Sequence, residues 1–578
     1  MPERIRRRTA ATLPPGLPED LHPVLRRVYA RRGLQDPVEL DLSLRRLLPP
    51  RGMADLESAA GALAGALRKG HRLVVVGDYD ADGATATALM VLALRRLSTA
   101  LGGDPGVVRF FVPDRFGLGY GLSPAVVERL QPLAPDWVVT VDNGVTSHEG
   151  VAAAHQAGMG VVITDHHAPA EHLPPAEAVV DPLRPDDAFP ATSLAGVGVA
   201  FYVALAVHRA LEADGGFRGT PPSLTELLDL VAVGTVADLV PLDYNNRILV
   251  EQGLRRIRAG ASRPGVRALL DQAGREPGAV TANDLAFGVG PRLNAAGRMD
   301  DMTAGVECLL AEDTATACAR AAALDGLNRQ RREVEAQMTE EALAELEAQA
   351  EEIGLGVCVA AEGWHQGVTG ILAARLKERF HRPAVAFAPA EQGRLRGSAR
   401  SVPGLHMRDL LARLQRAAPG VMERFGGHAM AAGLTIRTDD LEPFRAAFAA
   451  TLAEVLDGQP PPMQLETDGP LASEELTLET AWALRYGGPW GQGFPEPRFD
   501  GVFTVRRVRS LRGGHLRLEL AADEDSATAW AAIAFGGGHQ GWDQLQGPVR
   551  VVYSPEINRF RGQSSLQLRI DCMMPEPH

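Results

Sequence analysis

Between residues 50 and 250 the chain alternates short apolar, β-branched runs with amphipathic stretches. The runs at 72–76, 107–112, 137–141 and 160–164 read as strands, and 84–97, 123–131 and 147–157 carry helical periodicity. Strands alternating with helices of this length predict a parallel sheet wound by crossover helices, an α/β domain of nucleotide-fold type. Residues 223–275 and 282–327 read as mainly helical, and 314–352 is Ala/Glu/Arg-rich with no proline and one glycine, which predicts a long connecting helix. A second, smaller α/β pattern follows over 353–460: strand "LGVCVAA", helix "VTGILAARLKERF", strand "PAVAFAP" and a third short strand in "AAGLTIR". Past "GQPPPMQ", over 461–578, five alternating runs separated by Gly, Asp and Pro predict a small OB-like β-barrel. Residues 1–49 form an N-terminal extension without an assigned element, and no fixed-period repeat is visible.

Composition narrows this picture rather than changing it. With 45% apolar and 23% charged residues, the 578-residue chain has the make-up of an ordinary multi-domain globular protein. "MPERIRRRTAATLPPG" has arginines but no apolar stretch behind them, and no run of about 18 uninterrupted apolar residues occurs, so a cytoplasmic location is expected. Cys308, Cys318, Cys358 and Cys572 lie far apart with no CxxC spacing, which predicts reduced packing residues rather than disulfides or a zinc knuckle. A net charge of -13 argues against coating nucleic acid by bulk electrostatics and leaves room for a local basic channel.

The candidate chemistry begins in "RLVVVGDYDADG", where Asp78, Asp80 and Asp82 follow an apolar run at alternate positions. In an extended segment these three side chains point to one side, where like charges repel unless a divalent cation or protonation relieves them. An Asp-rich turn is the competing reading. Two more strand ends carry similar groups, Asp142 in "WVVTVDNGV" and Asp165, His166 and His167 in "GVVITDHHAP"; ligands gather outside the carboxyl ends of strands in open α/β sheets. Asp238, in the apolar "LLDLVAVGTVADLVPL", is a fourth candidate, with a capping role as its alternative. Asp80, Asp82, Asp142, His166 and Asp238 supply enough oxygen and nitrogen ligands for two Mn2+ or Mg2+ ions, the device of two-metal phosphoester hydrolysis.

"GDYDADG", "VDNG", "TDHH" and "GTVADLVPL" resemble the four motifs of the DHH phosphoesterases. "FGVGPRLNAAGRMD", "EGWHQGVTGILAARL", "GSARS", "GGHAMAAGL" and "GPWGQGFPEPRF" are similar to the later motifs of the RecJ family of single-strand-specific DNA exonucleases, and "GGH" to the DHHA1 signature. The resemblance spans about residues 50–575. It implies a DHH catalytic domain over 50–313, a DHHA1 domain over 353–460 closing over the site, and a cleft between them too narrow for duplex. It implies that Asp80, Asp82, Asp142, His166 and Asp238 are metal ligands, with Asp78 and His167 as near-shell or alternative ligands. Val76 stands where pyrophosphatase-type relatives carry a metal-binding His, which leaves one metal poorer in protein ligands. Degradation of single-stranded DNA to mononucleotides with 5′-to-3′ polarity, roles in DNA repair and recombination, and single-strand-binding protein and a helicase as partners of a monomer also follow from the resemblance.

On the substrate side, Arg292, Asn294 and Arg298 offer guanidinium forks and an amide for phosphate. Ser398, Arg400 and Ser401 in "GSARSVPG" read as a phosphate nest, and Gly426 and Gly427 admit close backbone approach beside His428, with His365 as a weaker candidate. In the barrel, Arg506, Arg507, Arg509, Arg512 and Arg517 near Phe499, Phe503 and Tyr553 suit tracking and stacking on a single strand, and an exposed barrel face over core aromatics is the alternative. Two other functions fit parts of this pattern: a small-substrate DHH phosphoesterase for short oligonucleotides or cyclic dinucleotides, and a non-catalytic DNA-binding scaffold. The barrel counts against the first and the near-complete ligand set against the second.

Overall fold

The computed structural model describes residues 4–115, 117–348, 353–523, 526, 528–545 and 547–576, so residues 349–352 of the predicted connecting helix lie outside the described residues. The chain divides into two compact units, Ile5–Gly297 with Asp301–Asp325 and Glu466–His578 in one, and Gly326–Leu465 with Met1–Arg4 and Arg298–Asp300 in the other.

The described chain opens with strand β1 (Arg4–Arg7), all but its first residue in the larger unit, and helix α1 (Pro23–Arg31), whose partners lie near the far end of the chain. The α/β core is a five-stranded sheet of β2 (Leu73–Val76), β3 (Val108–Phe111), β4 (Trp137–Val141), β5 (Gly160–Thr164) and β6 (Ala178–Val180). Its order is β3-β2-β4-β5-β6 and every pairing is parallel. Both faces are covered, so β2, β4 and β5 read as nearly unbroken apolar runs. The order reverses between β2 and β4, the point where a doubly wound sheet opens a ligand crevice at its carboxyl edge. Helix α2 (Ala81–Leu101) leaves β2, α3 (Gly196–Ala213) and α4 (Leu228–Ala237) pack beside it, and α5 (Gly290–Met299) follows later in the same all-helical stretch. Both α2 and α3 have the length and hydropathy of a membrane span, yet most of each is buried inside the protein, as suits core helices.

Helix α6 (Thr314–Ala348) carries the chain into the second unit. There β7 (Val357–Ala360), β8 (Ala384–Ala390), β9 (Arg394–Arg400), β10 (Arg424–Gly427) and β11 (Ala431–Arg437) form a mixed sheet of order β10-β11-β9-β8-β7. Strands β9 and β10 are not apparent from the sequence because their arginines and glycines mask the alternation. In β9 the buried positions Leu395, Gly397 and Ala399 alternate with more exposed Arg394, Arg396 and Ser398, a period of two whose buried half is largely too small to read as apolar.

After β12 (Gln464–Thr467) the chain returns to the larger unit and closes a barrel of β13 (Phe499–Leu511), β14 (His515–Ala521), β15 (Ala529–Ala534), β16 (Pro548–Phe560) and β17 (Gln563–Pro575), in the order β13-β14-β15-β17-β16. The N-terminal extension is fastened to this end of the chain: β1 pairs with β12, and Tyr29 donates its hydroxyl hydrogen bond to the Gly487 carbonyl at 2.7 Å. Arg32 reaches the carboxylate of Asp468 at 2.5 Å, with the side chains 2% and 0% exposed. Of the four cysteines, Cys308 and Cys572 are buried and Cys358 half-buried, but Cys318 is exposed on α6 and is not a packing residue.

Candidate metal centre

The acid-rich loop is not the extended ladder that alternate spacing predicts. Strand β2 ends at Val76, Asp80 caps α2 by accepting the Gly83 N–H at 2.9 Å, and Asp82 already lies in the first helical turn. A capping Asp followed by small residues begins the helix at Ala81, three residues before the apolar periodicity becomes visible. The three acids still meet one site, from two directions. Oxygens of Asp78, Asp80 and Asp142 lie within 4.8 Å of one another, and so do ligand atoms of Asp82, His166 and Asp238, and of Asp142, His166 and His167. The Nε2 of His166 stands 3.0 Å from Asp142, 3.7 Å from Asp238 and 3.9 Å from Asp82.

Close approach of helices to this cluster rests on missing side chains. A Cβ on Gly196 would lie 2.5 Å from the Cβ of Asp142, so only glycine lets the N-terminus of α3 reach the site. There the Gly196 and Val197 N–H groups donate to the two oxygens of Asp82 at 2.6 and 3.0 Å, and the helix end favours the carboxylate. On α5, a Cβ on Gly297 would meet the Tyr79 carbonyl at 1.8 Å. Asn294, on the same helix, accepts the Ala81 N–H at 2.8 Å and pins the ligand loop. Asp142 holds a left-handed backbone, φ 62, a strained state that Asp tolerates better than most residues and that recurs at functional sites. Asp238 is the C-cap of α4, so the capping reading and its place in the cluster are both true.

Electrostatics matches the geometry. Burial, and then the charge of Asp80, push the Asp82 carboxyl up to about 7. Burial likewise drives Asp78, Asp142 and Asp238 well above the usual carboxylate range, with neighbouring acids adding to it. Among the described residues, no hydrogen-bond donor satisfies Oδ1 of Asp142, which is buried and faces the His166 ring at 3.0 Å. Crowded, desolvated carboxylates with one imidazole and an oxygen lacking a donor fit a hard divalent cation of the Mg2+ or Mn2+ kind.

Several residues outside the predicted ligand set hold the site in shape. Asp165 is fully buried and accepts from the backbone N–H of Val145 at 2.9 Å and of His166 at 2.8 Å, and bonds the His167 Nδ1 at 2.8 Å. Burial opposes ionisation of Asp165, but the hydrogen bond and charge of His167 win and hold its carboxyl low. Burial pulls His167 down, and the bond and charge of Asp165 outweigh it, raising the imidazole to about 9. The Tyr120 hydroxyl lies 3.0 Å from His167 Nδ1 and 3.2 Å from the Asp142 carbonyl. Asn143 ties β4 to β2 through the Val76 carbonyl at 3.1 Å, while the Val76 side chain is buried in the core. Asp165 was legible as the first letter of its motif; nothing in "FGLGYGLSP" marks Tyr120.

Other predicted residues have different surroundings from those expected. Arg292 is buried, with its fork spent on Asp325 and on the Gly288 and Gln272 carbonyls, and is not an open phosphate clamp. In the second unit, Arg298 donates to the Gly367 carbonyl at 3.0 Å, and His365 Nδ1 accepts the Gly367 N–H at 3.1 Å. "GSARS" is a strand end rather than a nest: Ser398 and Arg400 lie in β9, and Ser401 is buried with its hydroxyl on the Leu405 carbonyl at 2.7 Å. Gly426 and Gly427 end β10, and the exposed His428 opens a tight turn through its N–H to Ala431. In the barrel Arg506, Arg507, Arg509, Arg512 and Arg517 lie toward solvent, and Arg509 stands across strands from Arg517. Phe499, Phe503 and Tyr553 are instead core residues, 1%, 4% and 0% exposed, so they offer no stacking platform.

A doubly wound parallel sheet with a carboxylate and imidazole cluster at its switch point, joined to a smaller mixed-sheet domain and an OB-like barrel, defines a DHH-type protein. The DHH family N-terminal domain matches residues 72–235, the DHHA1 domain 354–454 and the RecJ OB domain 467–571. The "Single-stranded-DNA-specific exonuclease RecJ" of Dickeya dadantii is 50% identical over 577 residues, covering 99% of this chain and 98% of that one. The crystal structure of RecJ in complex with Mn2+ from Thermus thermophilus is similar with a TM-score of 0.80 at 30% identity, over 100% of this chain and 81% of that chain. The Mg2+ complex of RecJ from that organism has a TM-score of 0.73 at 29% identity, over 100% and 79%. The chain belongs to the RecJ family.

Proposed function

We propose that this protein is a single-stranded-DNA-specific exonuclease that hydrolyses phosphodiester bonds from a 5′ end and releases mononucleotides. The observation that carries this reading is the convergence of Asp78, Asp80, Asp82, Asp142, His166 and Asp238 at one point of a chain collinear with RecJ over nearly its whole length. Mn2+ or Mg2+, two ions in this reading, would be held by these six residues and would supply Lewis-acid polarisation of a phosphate oxygen and activation of the attacking water.

The chain's own groups do the rest. Asp165 orients His167, whose ring beside Tyr120 would steady a phosphate oxygen or pass a proton. The backbone N–H pair at Gly196 and Val197 fixes the rotamer of Asp82, and Asn294 holds the loop bearing Asp80. His365, Ser398, Arg400, Gly426, Gly427 and His428 are proposed to contact substrate from the DHHA1 domain, Arg298 from the end of α5, and the five barrel arginines to guide the strand by its phosphates. Roles in DNA repair and recombination, a cytoplasmic location, a monomeric state, and association with single-strand-binding protein and a helicase complete the proposal.

Asp82→Ala and His166→Ala should each abolish Mn2+-dependent release of mononucleotides from single-stranded DNA; near-wild-type rates in both would overturn the reading. Blocking the 5′ end should stop the reaction and blocking the 3′ end should not. Faster turnover of a dinucleotide than of a long oligonucleotide would favour the small-substrate alternative.

A further inference from the structure

Helix α2 has Asp80 at one end and, fifteen residues further along, Arg95 near the other, about 22 Å away at 1.5 Å per residue. Around that far end lies a groove of about 820 Å³, separate from the metal cluster. Its polar lining is dominated by Arg95, Arg96 and Arg263, against one carboxylate, the exposed Glu312. Arg96 is engaged, 3.1 Å from Glu226 and 3.4 Å from the Ser223 carbonyl. Arg95 and Arg263 are anchored differently. Arg95 Nε donates to the Val108 carbonyl and Arg263 Nε to the Leu309 carbonyl, each at 3.1 Å. Among the described residues, no acceptor takes the terminal nitrogens of either fork. The Arg263 backbone is fixed as well, its N–H donating to the buried Asp229 at 2.7 Å. Burial lowers the pKa of both guanidiniums and outweighs the opposing charge of Glu312 on each, and of Asp229 on Arg263.

Arg95 and Arg263 line one groove, each held at Nε with its terminal N–H groups left to donate, and a phosphate monoester accepts several such charge-assisted hydrogen bonds at once. The remaining wall is largely apolar, formed by Leu92, Pro105, Pro222, Pro264 and Leu310, side chains against which a base can pack. We infer that this groove is a binding site for a nucleoside monophosphate, its phosphate on Arg95 and Arg263 and its base against the proline and leucine wall. The site is independent of the metal centre and does not rest on the exonuclease reading.

Isothermal titration of the full-length protein in EDTA with dAMP, inorganic phosphate and adenosine tests this. In wild type, dAMP should bind more tightly than phosphate, and adenosine should not bind measurably. The double variant Arg95→Gln/Arg263→Gln should weaken dAMP at least tenfold, and His166→Ala should leave it unchanged. Because the half-buried arginines also support the fold, Thr99→Trp serves as a second variant: it keeps both forks, sits on an exposed position of the groove, and should block dAMP to the same extent. Wild-type dAMP affinity in the double variant or in Thr99→Trp would overturn the site. Phosphate binding as tightly as dAMP would overturn the assignment to a nucleotide.

Discussion

At the scale of single residues, the metal centre shows how far chemistry depends on neighbours too small to be noticed. Replacing Gly196 by Ala adds one methyl 2.5 Å from the Cβ of Asp142, where no flexible side chain can yield. Overpacking of this kind costs about 1–3 kcal/mol, and here it also displaces the N–H pair on Asp82. Gly196→Ala is therefore expected to remain folded, with a lowered melting temperature, and to lose Mn2+ binding by calorimetry. Unchanged Mn2+ affinity would remove the glycine from the site. The acids themselves predict a pH dependence. With its folded pKa raised to about 7, Asp82 favours the metal-free fold while protonated, a contribution present at low pH and lost as pH rises through 7. A cation must displace that proton, so Mn2+ affinity should increase from about pH 6 to about pH 8 and level off above it; a flat profile across this range would contradict the crowding. The ligand types were legible in the sequence because most of them follow an apolar strand. Tyr120 and the clamp on Asp82 were not, since both are contacts made across more than twenty residues of chain.

At the scale of elements, the barrel strands were readable from their alternation, but which arginines share a face depends on register. A bulge between Val505 and Arg507 resets the alternation, leaving Arg507 opposite Glu519 and Arg509 opposite Arg517. Exposed guanidiniums on one barrel face contribute to strand binding chiefly through phosphate contacts. Replacing Arg507, Arg509 and Arg517 by Gln should weaken single-stranded DNA binding across sequences and flatten its salt dependence, by about one in log–log slope for each phosphate left unneutralised. A slope identical to wild type would place the strand elsewhere. Turnover of a dinucleotide should be unaffected, since the replaced residues lie on the barrel and outside the metal cluster.

At the scale of the whole molecule, the N-terminal residues are a fastening for the other end of the chain. The ion pair of Arg32 with Asp468 is almost wholly buried, and Arg7 bonds the buried Asp500 of β13 at 2.8 Å. Removing one partner of such a pair strands the other charge away from water, at a cost of about 3–5 kcal/mol. Asp468→Ala is expected to lower stability by that amount, read as a fall in the thermal midpoint. Deletion of residues 1–33 should expose the barrel to proteolysis while the sheet around β2 stays protected. Equal protease resistance before and after the deletion would show that the fastening is not needed.

Outside β9, β10 and the N-terminal 49 residues, the sequence by itself determined the kinds and order of the main elements and the atoms available for a metal, because periodicity and strand ends are local properties of the chain. Only the tertiary structure decided which polar groups remain available. Arg292, Ser401 and the barrel aromatics looked as suited to a substrate as Asp142 does to a cation, yet their partners lie inside the fold. The physical reason is that a hydrogen-bonding group or a ring is used once. Whether folding uses it, or leaves it for a ligand, depends on what distant residues bring within about 3 Å.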